Sequence, residues 1–130
     1  MFDYFSGMIA GVILLQTTIF APTLFNTLNE KSAGKLIRAL FPKFFLVLAV
    51  LGACSLVAVL QQGESAVWQF GVAIASILLP LICRSLIPKT NRARDEGDEK
   101  TFDRLHRISV ILTVTVFIGN LVAPLLPVAV

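Results

Sequence analysis

Four long apolar windows, at about residues 7–28, 39–60, 67–87 and 105–126, alternate with shorter polar segments along the chain. Each is close to the roughly 20 residues that an α-helix needs to cross a bilayer core of about 30 Å. The pattern predicts an all-α protein with a single transmembrane domain over residues 1–130, folded as a four-helix bundle. The turn Gln61-Gln62-Gly63-Glu64-Ser65 is short enough to make the second and third windows a tight antiparallel hairpin. Connectors at about 29–38 and 88–104 complete an antiparallel up-down topology.

Composition moves the core from water to lipid. The chain is 56% hydrophobic with a mean hydropathy of +0.83, whereas soluble domains have about 45 to 50% apolar residues. All eleven Lys and Arg residues lie within 31–43 and 84–107. Basic residues in short loops are retained on the cytoplasmic side. Both connectors are therefore expected in the cytoplasm and both termini outside, in a multi-pass protein of the cell membrane, the bacterial inner membrane being the expected setting. Met1-Phe2-Asp3-Tyr4-Phe5 has no basic segment ahead of the first window, so that window reads as a retained span, not a cleaved leader. With a net charge of +3 placed beside the spans, the basic residues point to lipid headgroups and not to nucleic acid. The bilayer is the first expected partner, and a homo-oligomer or a larger membrane complex is the next.

In the first connector, Lys31, Lys35 and Arg38 recur at helical spacing, with Leu36, Ile37, Leu40 and Phe41 on the other side. This is either an amphipathic turn on the headgroup surface, redirected by Pro42, or the start of the second span itself. The second connector mixes Lys89, Arg92, Arg94 and Lys100 with Asp95, Glu96, Asp98 and Glu99 around Gly97, the pattern of a mobile, solvated link. Gly7 with Gly11, and Gly71 with Ala75, have the spacing that lets helices approach closely. Cys54 and Cys83 fall at depths more than ~10 Å apart, beyond disulfide reach.

Polar groups within the spans carry the candidate chemistry, because each needs a partner in hydrocarbon. Pro22, Pro80 and Pro124 remove the hydrogen bonds to the carbonyls of Thr18, Ser76 and Asn120. Pro22 and Pro80 are expected at a similar depth, which predicts either local repair by the hydroxyls or a small polar cavity opening toward the cytoplasm. On the fourth helix His106, Ser109, Thr113 and Asn120 share a narrow arc at about 100° per residue. That stripe should face the bundle interior. Gln16, Thr17, Thr18, Thr23 and Asn26 make the first helix its expected opposite wall. The candidate polar lining is thus Thr17, Thr18, Ser76, Ser109, Thr113 and Asn120, serving either as interhelical glue or as the wall of a path or ligand site.

No enzyme constellation is legible. His106 is the only histidine, no acidic residue lies within a span, and there is no C-x-x-C, so neither a catalytic group nor a metal site is expected. No cofactor is predicted. Haem ligation by His106 with a second ligand from another helix or subunit is allowed by the four-helix format alone.

Four sets of residues resemble a known family. They are Thr17 with Leu24-Phe25; Leu40-Phe41-Pro42 with Phe44-Phe45; Arg84, Leu86 and Pro88-Lys89-Thr90; and Phe102, Arg104, His106 and Ser109. Together they resemble the transmembrane protein 205-like proteins, which contain the domain of unknown function 4149. The resemblance implies four membrane helices. The eukaryotic relative is associated with resistance to platinum drugs, which implies export or trafficking. The pattern departs at Thr113, where relatives are expected to carry Asn. Most of these signatures gather at the cytoplasmic helix ends, which places Arg84, Arg104 and His106 at one level as a candidate gate or ligand rim, with snorkelling to headgroups as the plainer role. Three functional classes follow in order: a small-solute or metal-complex translocator, an accessory subunit or assembly factor of a larger membrane complex, and a haem- or quinone-linked redox protein.

Overall fold

The computed structural model describes residues 1–128. The first span is built from α1 (Phe2–Leu15), a π-helical turn (Gln16–Phe20) and α2 (Ala21–Thr27). The other three are α3 (Glu30–Gln61), α4 (Val67–Asp95), and α5 (Glu99–Val122), which ends in a 3-10 turn, Ala123–Leu125. The spans run 26, 32, 29 and 27 residues, and all four are long and apolar enough to cross a membrane. Around the bundle α1 packs on α3, α3 on α4, α4 on α5 and α5 back on α1, an antiparallel up-down arrangement.

The interior consists of two apolar clusters stacked along the bundle axis. Near the end that carries the termini, Phe2, Val59, Ala73 and Ala123 pack together, with Phe2 and Trp68 meeting edge to face at 6.1 Å. Further along, Ile9, Ile13, Phe45, Leu48, Cys83 and Val116 form the larger cluster. The outer surface is just as apolar: Val50, Leu60, Leu78, Ile111 and Ile118 are exposed, as expected of side chains whose solvent is lipid.

At the basic end the helices outrun the apolar windows. At about 1.5 Å per residue, a 32-residue helix is roughly 48 Å long, well beyond a core of about 30 Å. The first connector is consequently not a separate surface turn. α3 starts at Glu30, where the Asn29 side chain accepts a hydrogen bond from Ser32 N–H at 2.8 Å, and it continues unbroken through Pro42. The second connector is likewise no long mobile link. α4 is helical to Asp95, and Gly97, at φ 72°, closes it: Gly97 N–H donates to Arg94 O and Asp98 N–H to Ala93 O. This paired closure needs the left-handed conformation that glycine adopts without penalty. Asp98 then caps α5 by accepting from Thr101 N–H at 3.2 Å. The mixed charge run predicts a mobile, solvated link, but a glycine stop followed at once by an aspartate cap makes it two helix ends and a tight turn.

The turn joining α3 and α4 is the expected tight hairpin, held by polar side chains. Gln62 Nε2 and Ala66 N–H both donate to the buried Gln69 Oε1, and Ser65 Oγ donates to Val59 O.

Candidate functional site

One small polar residue from each span lies between the two apolar clusters. On α1, Ser6 separates Phe2 from Ile9; on α3, Ser55 separates Leu48 from Val59; on α4, Ser76 separates Ala73 from Cys83; on α5, Asn120 separates Val116 from Ala123. All four are at most 1% exposed, although they sit in segments otherwise filled by hydrocarbon side chains. Their places along each helix, between members of the two clusters, put all four at one level of the bundle as a polar layer between apolar packing, with Ser76 and Asn120 in direct contact.

Within the layer the hydrogen bonds have a fixed direction. Asn120 Nδ2 donates to Ser76 Oγ and to Val116 O, each at 2.8 Å, and Ser76 Oγ donates onward to Val72 O at 2.7 Å. Ser6 Oγ, Ser55 Oγ and Asn120 Oδ1 are buried with no protein partner. The layer is also a place of close backbone approach: a Cβ built on Gly52 would stand 2.7 Å from the Ser76 carbonyl carbon and oxygen. Pro80 offers no N–H to that carbonyl, so the peptide deprived of its helical donor is the one packed under a glycine.

The sequence-predicted polar stripe is divided by this arrangement. Asn120 is in the layer; Thr113 and Ser109 are half-buried against α4, where Cys83 Sγ donates weakly to Ser109 O at 3.7 Å and Thr113 Oγ1 donates to the same carbonyl at 2.8 Å. The wall opposite Ser109 and Thr113 is therefore α4, and not the Thr17 to Asn26 part of the first span. Thr17 and Thr18 are exposed on the outside of the bundle, Thr18 Oγ1 donating to Leu14 O at 2.6 Å.

The outward placement of Thr17 has a local cause. Pro22 cannot donate to Thr18 O, and the helix widens just before it: Ala21 N–H reaches back five residues to Gln16 O. The wide turn rotates everything beyond residue 16 relative to the buried face Phe2, Ser6, Ile9 and Ile13, on which Thr17 would fall if the α-helix ran on. The breaks at Pro22 and Pro80 consequently do not open into one cavity, since Ser76 joins Asn120 in the layer while Thr18 faces outward.

Arg84, Arg104 and His106 are all exposed at the basic end. Arg84 Nε donates to Pro42 O at 3.3 Å, joining α4 to α3. Arg104 lines a shallow groove with Lys100, Thr101, Asp103 and Arg107. The His106 ring stacks on Phe102 at 5.8 Å, and the Arg94 guanidinium covers that phenyl ring 4.1 Å from its centroid. No hydrogen bond joins the three among the described residues. A tie the sequence reading missed lies close by: the Arg38 guanidinium and the Asp95 carboxylate form a two-pronged ion pair between α3 and α4. Among the described residues no three His, Cys, Asp or Glu side chains are grouped to hold a metal ion. Ser6, Ser55 and Gly52 were also missed, and the available signal was modest: each is one small residue among several on a buried face that also holds alanines.

This architecture defines an integral membrane protein of four helices. The chain belongs to the family described as Domain of unknown function (DUF4149), whose model matches residues 5–99. The match covers the first three spans and the closure of α4, while Asn120 lies beyond it. No curated protein and no solved structure matches the chain.

Proposed function

We propose that this protein is an accessory subunit of a larger membrane complex, set with both termini outside the cytoplasm of a bacterial inner membrane, and that it docks through its first span. The observation that carries the reading is the second half of that span. From Leu14 to Leu28 only Leu24 is buried, and Thr17, Thr18, Thr23 and Asn26 face outward in or beside the hydrocarbon region. The Thr18 hydroxyl is already satisfied by Leu14 O, but hydroxyl and amide groups such as those of Thr17, Thr23 and Asn26, where lipid surrounds them, are stabilised by a neighbouring helix that offers the same groups. Beside them, Ile19, Phe20, Leu24, Leu28 and Leu36 line an apolar groove suited to the side chains of such a helix. The segregation of Lys and Arg supports the orientation.

A photo-crosslinking residue at Thr17 or Thr23 should yield protein adducts of defined mass in native membranes, whereas the same residue at Val50 or Ile111 should label lipid. Lipid adducts at all four positions would reject the docking reading. An adduct of twice the chain mass would make the partner a second copy.

Translocation of a small polar solute or a metal complex is the second reading. It draws on the buried atoms without partners in the polar layer and on the resemblance to the transmembrane protein 205-like proteins. Passage would require both apolar clusters to open. Solute flux through reconstituted vesicles that is abolished by Ser55→Leu would favour it over docking.

A further inference from the structure

We propose that the polar layer is a binding site for one buried water molecule, held by Ser6 Oγ, Ser55 Oγ and Asn120 Oδ1. The orientation of Asn120 is fixed by its donors. Both Nδ2 hydrogens are used, on Ser76 Oγ and Val116 O, and turning the amide over would press Oδ1 against the Val116 carbonyl, acceptor against acceptor. Oδ1 is therefore an acceptor in need of a donor. Ser76 cannot supply one, because its hydroxyl hydrogen goes to Val72 O.

The two unpartnered serines have hydrogens to give. Several other helix hydroxyls are satisfied by a carbonyl one turn back, as in Thr90 to Leu86 O and Thr113 to Ser109 O, but Ser6 and Ser55 make no such bond and are 0% exposed. The layer thus holds two unused donors and one unused acceptor, none in hydrogen-bonding geometry with a protein group. A water molecule balances this inventory: it accepts from both serines and donates one hydrogen to Asn120 Oδ1. Buried waters typically make about three such bonds. A cation fits poorly, since hard cations take six or more oxygen ligands, usually with carboxylates among them, and this layer has neutral oxygens only.

The test is a crystal structure of the full chain in a lipid mesophase at about 2 Å resolution or better, together with thermal unfolding of Ser6→Ala, Ser55→Ala and the double variant. The expected result is a density peak about 2.7 to 3.2 Å from all three oxygens. Each single variant should lower Tm, and the double should lower it by less than the sum, because both serines act through one water. A serine hydroxyl lying directly on Asn120 Oδ1 with no intervening density would overturn the proposal. So would a Tm that responds to only one serine, or fully additive losses, and these readouts do not require any Asn120 variant to fold.

Discussion

Gly52 of α3 meets the Ser76 peptide of α4 so closely that a methyl group on Gly52 would stand 2.7 Å from the Ser76 carbonyl oxygen and 2.9 Å from Ile77 N. Both contacts are with backbone, which cannot swing aside. Gly52→Ala should therefore force α3 and α4 apart and destabilise the bundle by about 1 to 3 kcal/mol, the usual cost of overpacking. Gly71→Ala, where nothing lies within 4 Å of the new methyl group, should be neutral or stabilising by up to about 1 kcal/mol. Unfolding in detergent compares the two; equal effects would show that the α3–α4 contact is looser than described.

Asn120 and Thr115 lie on the same helix but differ in what they hold. Asn120 joins α5 to α4 through Ser76, whereas the exposed Thr115 hydroxyl bonds only to Ile111 O of its own helix. Asn120→Leu should cost roughly 0.5 to 2 kcal/mol, in the range of interhelical hydrogen bonds in membranes, and Thr115→Leu almost nothing. The same unfolding assay checks it, and a loss at Thr115 comparable to that at Asn120 would place the interior on the wrong face of α5.

The four spans were legible in the hydropathy pattern because lipid selects for long apolar windows irrespective of how the helices pack. The polar layer was only partly legible. Asn120 and Ser76 stood out through the prolines four residues beyond them, but Ser6 and Ser55 differ from other small residues only in which neighbour they meet, and periodicity in one helix carries no information about another. Thr17 lies outside for a specific reason: continuing the α1 face past residue 16 assumes an uninterrupted α-helix, and the π-turn before Pro22 breaks that register, whereas Thr18, about 100° further round, is off that face in either case. The charge run at 88–104 misled because alternating charge describes solvation, which a helical extension beyond the membrane satisfies as well as a coil does.

Asp98 gives the basic end a pH signature. Hydrogen bonding to Thr101 holds its carboxyl below the usual aspartate range, since the charged form is the better acceptor. The cap should be intact at neutral pH and should be lost only as pH falls through that lowered value, because a depressed folded-state pKa gives stability that is present above the unfolded value. The Thr101 amide shift, followed by NMR, should titrate with a midpoint below the ordinary carboxylate range. Asp98→Asn should remove the titration while keeping an acceptor at the cap. A midpoint at the ordinary value would mean that the cap contributes nothing to the start of α5.

The claim on which the rest depends is that four helices cross the membrane and bring both basic connectors to one face. Single cysteines at Gly63 and Glu96, in a background with Cys54 and Cys83 replaced, test it directly with a membrane-impermeant thiol reagent on intact cells. The account predicts that residue 63 is labelled from outside while residue 96 is protected until the membrane is permeabilised. Labelling at 96 with protection at 63 would invert the proposed orientation, and labelling of both in intact cells would contradict the crossing of α4 itself.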